Sequence, residues 1–230
     1  MYMKKLVLLA VAALMATVSV NAQFETGKWS IQPMAGVGVS SISNAGDLQI
    51  AANTSLSNHI TGAALVGAEL EYQLADKVSV AAGLNYTLQG TGWDNFNSSG
   101  VQFKDPRVEL GYVKVPLVLN YYFAKGWAVK AGVQFGFMTN ADVKMRAEGK
   151  MAAFGTNRDA TIDYSMDMMD DYKKFDVSVP VGISYQFSSP WVLDFRYQWG
   201  LTKVNKESVD GQKDMKNNVF MLTFGYKFAL

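Results

Sequence analysis

The one histidine in this chain of 230 residues, His59, ends the tripeptide Ser57-Asn58-His59. A serine beside an imidazole can be activated for attack on an ester, and at a membrane rim that ester would be a lipid. Such a pair needs a carboxylate to orient the ring, and none stands nearby in sequence. The preceding AANTSLSN is small and polar, which points to an ordinary solvated loop. A second cluster, DYSMDMMDDYKK at 163–174, offers Asp163, Asp167, Asp170 and Asp171, oxygen ligands of the kind calcium takes. It lacks the ordered spacing and turn glycine of a dedicated calcium loop. Divalent ions shared with anionic lipopolysaccharide are the more modest expectation. Met151, Met166, Met168 and Met169 are expected to cover a loop rather than bind metal. Cysteine is absent, which removes disulfides and thiol chemistry. Phosphate loops and metal-ligand motifs are missing too, so no cofactor and no catalytic centre are expected.

The remaining candidates are charges whose meaning depends on what positions them: Glu69, Glu71, Asp176 and Asp194 against Lys114, Lys130, Arg196 and Lys227. All eight fall in stretches that alternate with a period of two, the mark of a β-strand with two unlike faces. The clearest is WVLDFRYQWGL (191–201), where Trp191, Leu193, Phe195, Tyr197, Trp199 and Leu201 share one face. Seven more stretches read the same way: 29–40, 62–74, 77–89, 112–123, 127–138, 175–187 and 219–230. Eight strands are therefore expected. Pro116 and Pro180 strain the scheme, because proline removes a ladder bond, and a local bulge is expected at each.

The connections alternate strictly between short and long. Residues 75–77, 124–126 and 188–190 suit three-residue hairpins that pair Leu74 with Val78, Phe123 with Trp127 and Phe187 with Trp191. Gly126 sits where such a loop wants a left-handed residue. Residues 41–60, 90–111, 139–174 and 203–218 are long and polar. A further hairpin within 141–173 would raise the count to ten. Lys144, Arg146, Glu148 and Lys150 would put charge on one of its faces, so the segment is read as loop.

Which face of these strands is inside follows from three observations. The apolar face carries no charge from Val78 to Leu88 or from Trp191 to Leu201, whereas a soluble ligand barrel needs a charged exterior. Aromatics gather at strand ends, with Trp29, Tyr72, Phe123, Trp127, Phe187, Trp191 and Phe228 by the short turns. Tyr86, Phe137 and Trp199 lie toward the other end, so two interfacial girdles are outlined. Eleven residues span ~35 Å and rise ~27 Å when tilted, close to the ~25 Å apolar band of a membrane barrel. The greasy face is read as the outside.

Residues 1–22 read as a secretory signal: Lys4 and Lys5, an apolar core, and Val20-Asn21-Ala22 as the cleavage site. Residues 23–230 then form one barrel domain. The net charge of +1, without a basic block, gives no argument for nucleic-acid binding, and no nucleic-acid partner is expected. No later run reaches the ~18 apolar residues of a membrane helix. An eight-stranded barrel has a lumen only wide enough for side chains. The four acids and four bases therefore read as a cross-lumen ion-pair network, strongest at the short-turn half. Counting from the turns puts Glu71, Lys130 and Asp194 at one height, and Glu69 with Arg196 at the next. The network acts as a polar plug, or alternatively lines a narrow ion path.

Four stretches also carry a resemblance. YVKVPLVLNYYF (112–123) has an aromatic-x-x-x-Pro-Leu strand, and AGVQFGF, DFRYQWGLTKVN and the closing FGYKF follow it. In these the chain resembles PorT-like outer-membrane β-barrel proteins of Gram-negative bacteria, over the whole length after residue 22. The resemblance implies outer-membrane localisation and recognition of the last strand by the barrel-assembly machinery. The final residue is Leu230 where phenylalanine is usual, which leaves Phe228 and Tyr226 as the signal positions. It implies no particular activity, since a secretion-apparatus role belongs to some members only.

The expectation is thus an all-β, eight-stranded, antiparallel up-and-down transmembrane barrel, monomeric and non-enzymatic, in contact with outer-membrane lipid and lipopolysaccharide. Its exposed loops would meet a protein partner in adhesion, envelope support or secretion. A small porin-like channel is the alternative, and a rim hydrolase built on His59 is the third reading.

Overall fold

The computed structural model describes residues 25–45, 48–51, 54–98, 101–150, 159–206 and 214–230. The signal segment with its cleavage site, and Met151, lie outside these residues. Eight long strands form the wall: β1 (Trp29–Ser43), β2 (Thr61–Ala75), β3 (Val78–Trp93), β4 (Val101–Ala124), β5 (Trp127–Lys150), β6 (Phe175–Gln186), β7 (Trp191–Gly200) and β8 (Lys216–Tyr226). Each pairs antiparallel with the next, and β8 returns to β1 with Met34 opposite Gly225 and Val39 opposite Phe220. The two-residue segment Phe228–Ala229 extends this closing seam along Ile31 and Ser30. A sheet closed on itself leaves no unpaired backbone for hydrocarbon to meet.

The burial pattern inverts that of a soluble protein. Leu84, Val66 and Leu119 are 61, 57 and 51 % exposed, while Asp194 and Lys114 inside are 1 and 2 % exposed. Aromatic rings ring the short-turn end, with Trp29 on Tyr72, Trp127 on Tyr185 and Trp191 on Phe224, at centroid distances of 4.7, 4.8 and 4.7 Å.

Several expectations need correction. Two of the short turns are tighter than three residues: Ala75 pairs with Val78 and Ala124 with Trp127, each beside a bulge that restores the faces. Gly126 holds the left-handed conformation there, with φ +78°. Pro116 and Pro180 cause no bulge. The β3–β4 ladder skips the proline and resumes in the same register, from Ala82–Leu117 to Asn85–Lys114. The β5–β6 ladder does likewise around Pro180. In both cases the residue across is glycine, Gly83 or Gly132, so the ring is accommodated without re-registering the strands.

The larger correction concerns the loops. Strands β4 and β5 run 24 residues each, against 10 in β7; β4 stays paired with β3 as far as Arg107, and the two continue past the wall into 101–106 and 139–150. The discounted hairpin within 141–173 exists: Asp159–Asp167 pairs with β5, Asp163 opposite Arg146. It does not enter the ring, so the barrel keeps eight strands. A bulge at Thr139, between the pairs Gly111–Asn140 and Tyr112–Met138, re-phases β5 where it leaves the wall. Phe96–Ser98 adds a short strand on the far side of β4. The outcome is a four-stranded sheet projecting from the long-loop end.

Candidate functional site

Inward residues of the wall build the lumen in tiers. Nearest the short turns, the Glu71 carboxylate accepts hydrogen bonds from Lys227 Nζ (2.8 Å), the Tyr122 hydroxyl (2.5 Å) and Ser79 Oγ (2.6 Å). Lys227 also donates to the Tyr122 oxygen at 3.2 Å. Above it, Arg196 reaches across from β7 to Glu69 on β2, at 2.6 and 3.3 Å, and to Asp194 at 2.8 Å. Lys130 of β5 completes this cluster, 2.5 Å from Asp194 and 4.0 Å from Glu69. All these groups are buried. Charges taken from water are tolerable only when paired and hydrogen-bonded, and these are.

The next tier is mostly neutral. Lys114 Nζ donates to the side-chain oxygens of Gln89 (2.5 Å) and Gln198 (2.6 Å), and Gln134 Nε2 donates to Gln198 at 2.9 Å. Asp176 accepts from Thr202 Oγ1 (2.7 Å) and Asn217 Nδ2 (3.3 Å). Over this tier lies an apolar lid that includes Ile42, Trp93, Leu110, Tyr112, Met138 and Val204.

Six of the eight expected charges are therefore ion-paired, and Lys114 and Asp176 are not. The two share a tier without coming within ion-pair distance of each other, and their hydrogen-bond partners are amides and a hydroxyl. The expected heights also shift: Glu71 meets Lys227, while Lys130 joins the Glu69 cluster. Strand tilt and shear move residues that are equidistant from their turns to different levels.

The other sequence candidates do not assemble into sites. The ring nitrogens of His59 face the carbonyls of Ile60 (3.0 Å) and Trp93 (2.9 Å), with Gly92 packed beneath the ring, so no relay to Ser57 forms. Asp163 pairs with Arg146 at 2.7 Å, and Asp167 accepts the Met169 N–H at 2.8 Å. Asp170 and Asp171 lie in a single 3-10 turn, Met169–Asp171. Among the described residues, no three acidic or histidine side chains converge as metal ligands.

The projecting sheet forms in segments that the sequence reads as loop. Its signal is present: VKMRAEGK alternates Val143, Met145 and Ala147 with Lys144, Arg146 and Glu148, which is a strand standing in water rather than in lipid. Lys104 bonds Glu148 (2.6 Å), and Arg107 bonds Glu109 (2.8 Å), which Lys144 also contacts. Partial burial pushes the Glu109 carboxyl up, but hydrogen bonds from Lys144 and Arg107 outweigh it and hold the group below the usual carboxylate range. A polar hollow of about 340 Å³ lies on this charged face, lined by Lys104, Arg107, Lys144, Arg146 and Asp163 among others. Under the sheet an apolar cavity of about 330 Å³ opens beside Trp93, Val108, Met145 and Tyr172.

The family model described as outer membrane protein beta-barrel domain matches residues 21–206. Three solved barrels are similar at 14 % identity. Ail, the attachment invasion locus protein of Yersinia pestis, has a TM-score of 0.38, covering 88 % of this chain and 99 % of its own. Neisserial surface protein A has a TM-score of 0.42, covering 88 and 98 %. OprG from Pseudomonas aeruginosa has a TM-score of 0.43, covering 90 and 98 %. At such distance they bear on neither ligand nor activity. No curated protein matches the chain.

Proposed function

This chain belongs to the outer membrane protein beta-barrel domain family, and from that premise we propose a non-enzymatic surface-interaction protein whose sealed barrel anchors a projecting sheet for a protein partner outside the cell. The observation that carries this reading is the double closure of the lumen. The Glu69–Arg196–Asp194–Lys130 cluster bars one level and the Ile42–Leu110–Tyr112 lid bars another. What then differs from a plain barrel is the extension of β4 and β5 beyond the wall. In finer terms the chain is PorT-like, on its Pro116-Leu117 strand and closing FGYKF. Removal of residues 1–22, folding by the assembly machinery, contact with lipopolysaccharide and a monomeric state complete the proposal.

A small porin-like channel is the second reading, favoured by the neutral Gln89–Gln134–Gln198 tier, which is polar without being locked by ion pairs. Single-channel recording in planar bilayers separates the two. The sealed-barrel reading expects no conductance from protein whose heat-shifted gel mobility proves a closed barrel. Steady openings that change in Arg196→Gln or Glu71→Gln would sink it.

A further inference from the structure

We propose that the outer edge of the strand Asp159–Asp167 takes up an extended polypeptide of alternating basic and apolar residues as an added β-strand. The inference rests on the reading that the projecting sheet, not the lumen, is the working part.

The barrel wall has no edges, but the sheet above it has two. Phe96–Ser98 is only three residues long. Asp159–Asp167 has nine, paired on one side with β5 in unbroken register from Asp159–Lys150 to Asp167–Asp142. Among the described residues no strand pairs its other side. Every second residue of such a strand leaves its N–H and C=O facing outward, and natural edges are usually blunted by lysine, proline or a bulge. The sequence DATIDYSMD has no lysine or proline, and its pairing has no register shift. Among the described residues nothing covers this edge.

Side chains narrow the occupant. Tyr164 and Met166 are 50 and 66 % exposed, opposite Met145 and Val143, in the part of the sheet that stands beyond the wall, so lipid does not account for them. Positions 163 and 167 on the alternate face are both Asp, Asp163 bonded to Arg146 of β5, and the strand contains no base. A second copy of this strand is a poor partner: antiparallel pairing in full register would set Asp163 against Asp163, and like charges directly opposite are destabilising. A strand with lysine or arginine over the acidic column and apolar residues over Tyr164 and Met166 complements both faces. Main-chain hydrogen bonds then hold it, and alternate side chains select it.

The probe is a nine-residue peptide alternating lysine and valine, fluorescently labelled and titrated onto the full chain folded in lipid nanodiscs. Saturable binding is expected, absent for the glutamate–valine peptide and roughly tenfold weaker in the double variant Asp163→Asn/Asp167→Asn, a loss of ~1.4 kcal/mol. Two N-methylated versions test the strand itself, one methylated at every lysine and one at every valine. Only one set of amides can face the edge, so one version should lose binding at least roughly tenfold while the other keeps it. Equal binding by both, or no binding by the parent peptide, overturns the proposal. Peptide binding by a conducting barrel would leave it standing and remove the sealed-barrel reading; a silent barrel that ignores the peptide would do the reverse.

Discussion

Arg196 and Glu69, on strands three places apart around the ring, are joined through the lumen by two hydrogen bonds of 2.6 and 3.3 Å. Their link ties β7 to β2 across the barrel, where no backbone ladder can. Replacing Arg196 with methionine strands Glu69 and half of Asp194 as buried, under-compensated charges. The expected cost is about 3–5 kcal/mol, read as a lower urea midpoint in lipid vesicles. The triple variant Arg196→Met/Glu69→Gln/Asp194→Asn should recover much of the loss. If it proves worse than Arg196→Met alone, the charges do not act as one cluster.

Lys114 and Lys227 should answer differently to the same change. Lys227→Met abandons Glu71 and is expected to cost about 3–5 kcal/mol. Lys114→Met removes an ammonium that has amide partners and no carboxylate within ion-pair distance, and Gln198 keeps its bond from Gln134. A cost within about 1 kcal/mol is expected, since deleting a buried charge offsets the lost hydrogen bonds. Parallel urea titrations compare the two, and equal losses would contradict the tiered reading of the lumen.

Gly83 makes room for Pro116. A Cβ at position 83 would lie 2.9 Å from Pro116 Cγ and 2.8 Å from Glu69 Cγ. Gly83→Val should therefore destabilise the barrel by about 1–3 kcal/mol through overcrowding. Adding Pro116→Ala should return part of that cost, and a double-mutant cycle measures the coupling. Strict additivity would mean the two residues do not compete for the same space.

Acid should loosen the projecting sheet. The Glu109 carboxyl is held below the usual carboxylate range by Lys144 and Arg107 despite its partial burial. A depressed folded-state value contributes stability above the unfolded value of ~4.3, and that stability is lost as pH falls through the folded value. Amides of 101–111 and 139–150 should exchange faster with solvent below that range, while those of the wall are unchanged. In Glu109→Gln this pH dependence should vanish from hydrogen-exchange profiles.

Much of the architecture was legible because alternation is a local property. Trp191 to Leu201 must turn one face to apolar surroundings whatever the rest of the chain does, and eight such runs with short and long connections leave few topologies open. The loops were harder. The run Lys144, Arg146, Glu148 reads as loop because charge on a strand face is intolerable in lipid, yet β5 leaves the wall at the Thr139 bulge. The bulge re-phases the strand, and its length beyond the wall is what puts these charges in water. Pro116 and Pro180 misled for a related reason: a missing ladder bond shifts register only if nothing opposite can yield, and glycine yields.

The sequence by itself therefore determined the wall: strand number, which face meets lipid, and which eight charges point inward, because each follows from residue type and a period of two. Only the tertiary structure decided the partners. That Glu71 meets Lys227, that Arg196 bridges to Glu69, and that Lys114 is left to amides depend on tilt and shear, which set relative heights across the lumen. The projecting sheet and its free edge likewise depend on a pairing between β5 and Asp159–Asp167, a contact that residue periodicity permits but cannot select.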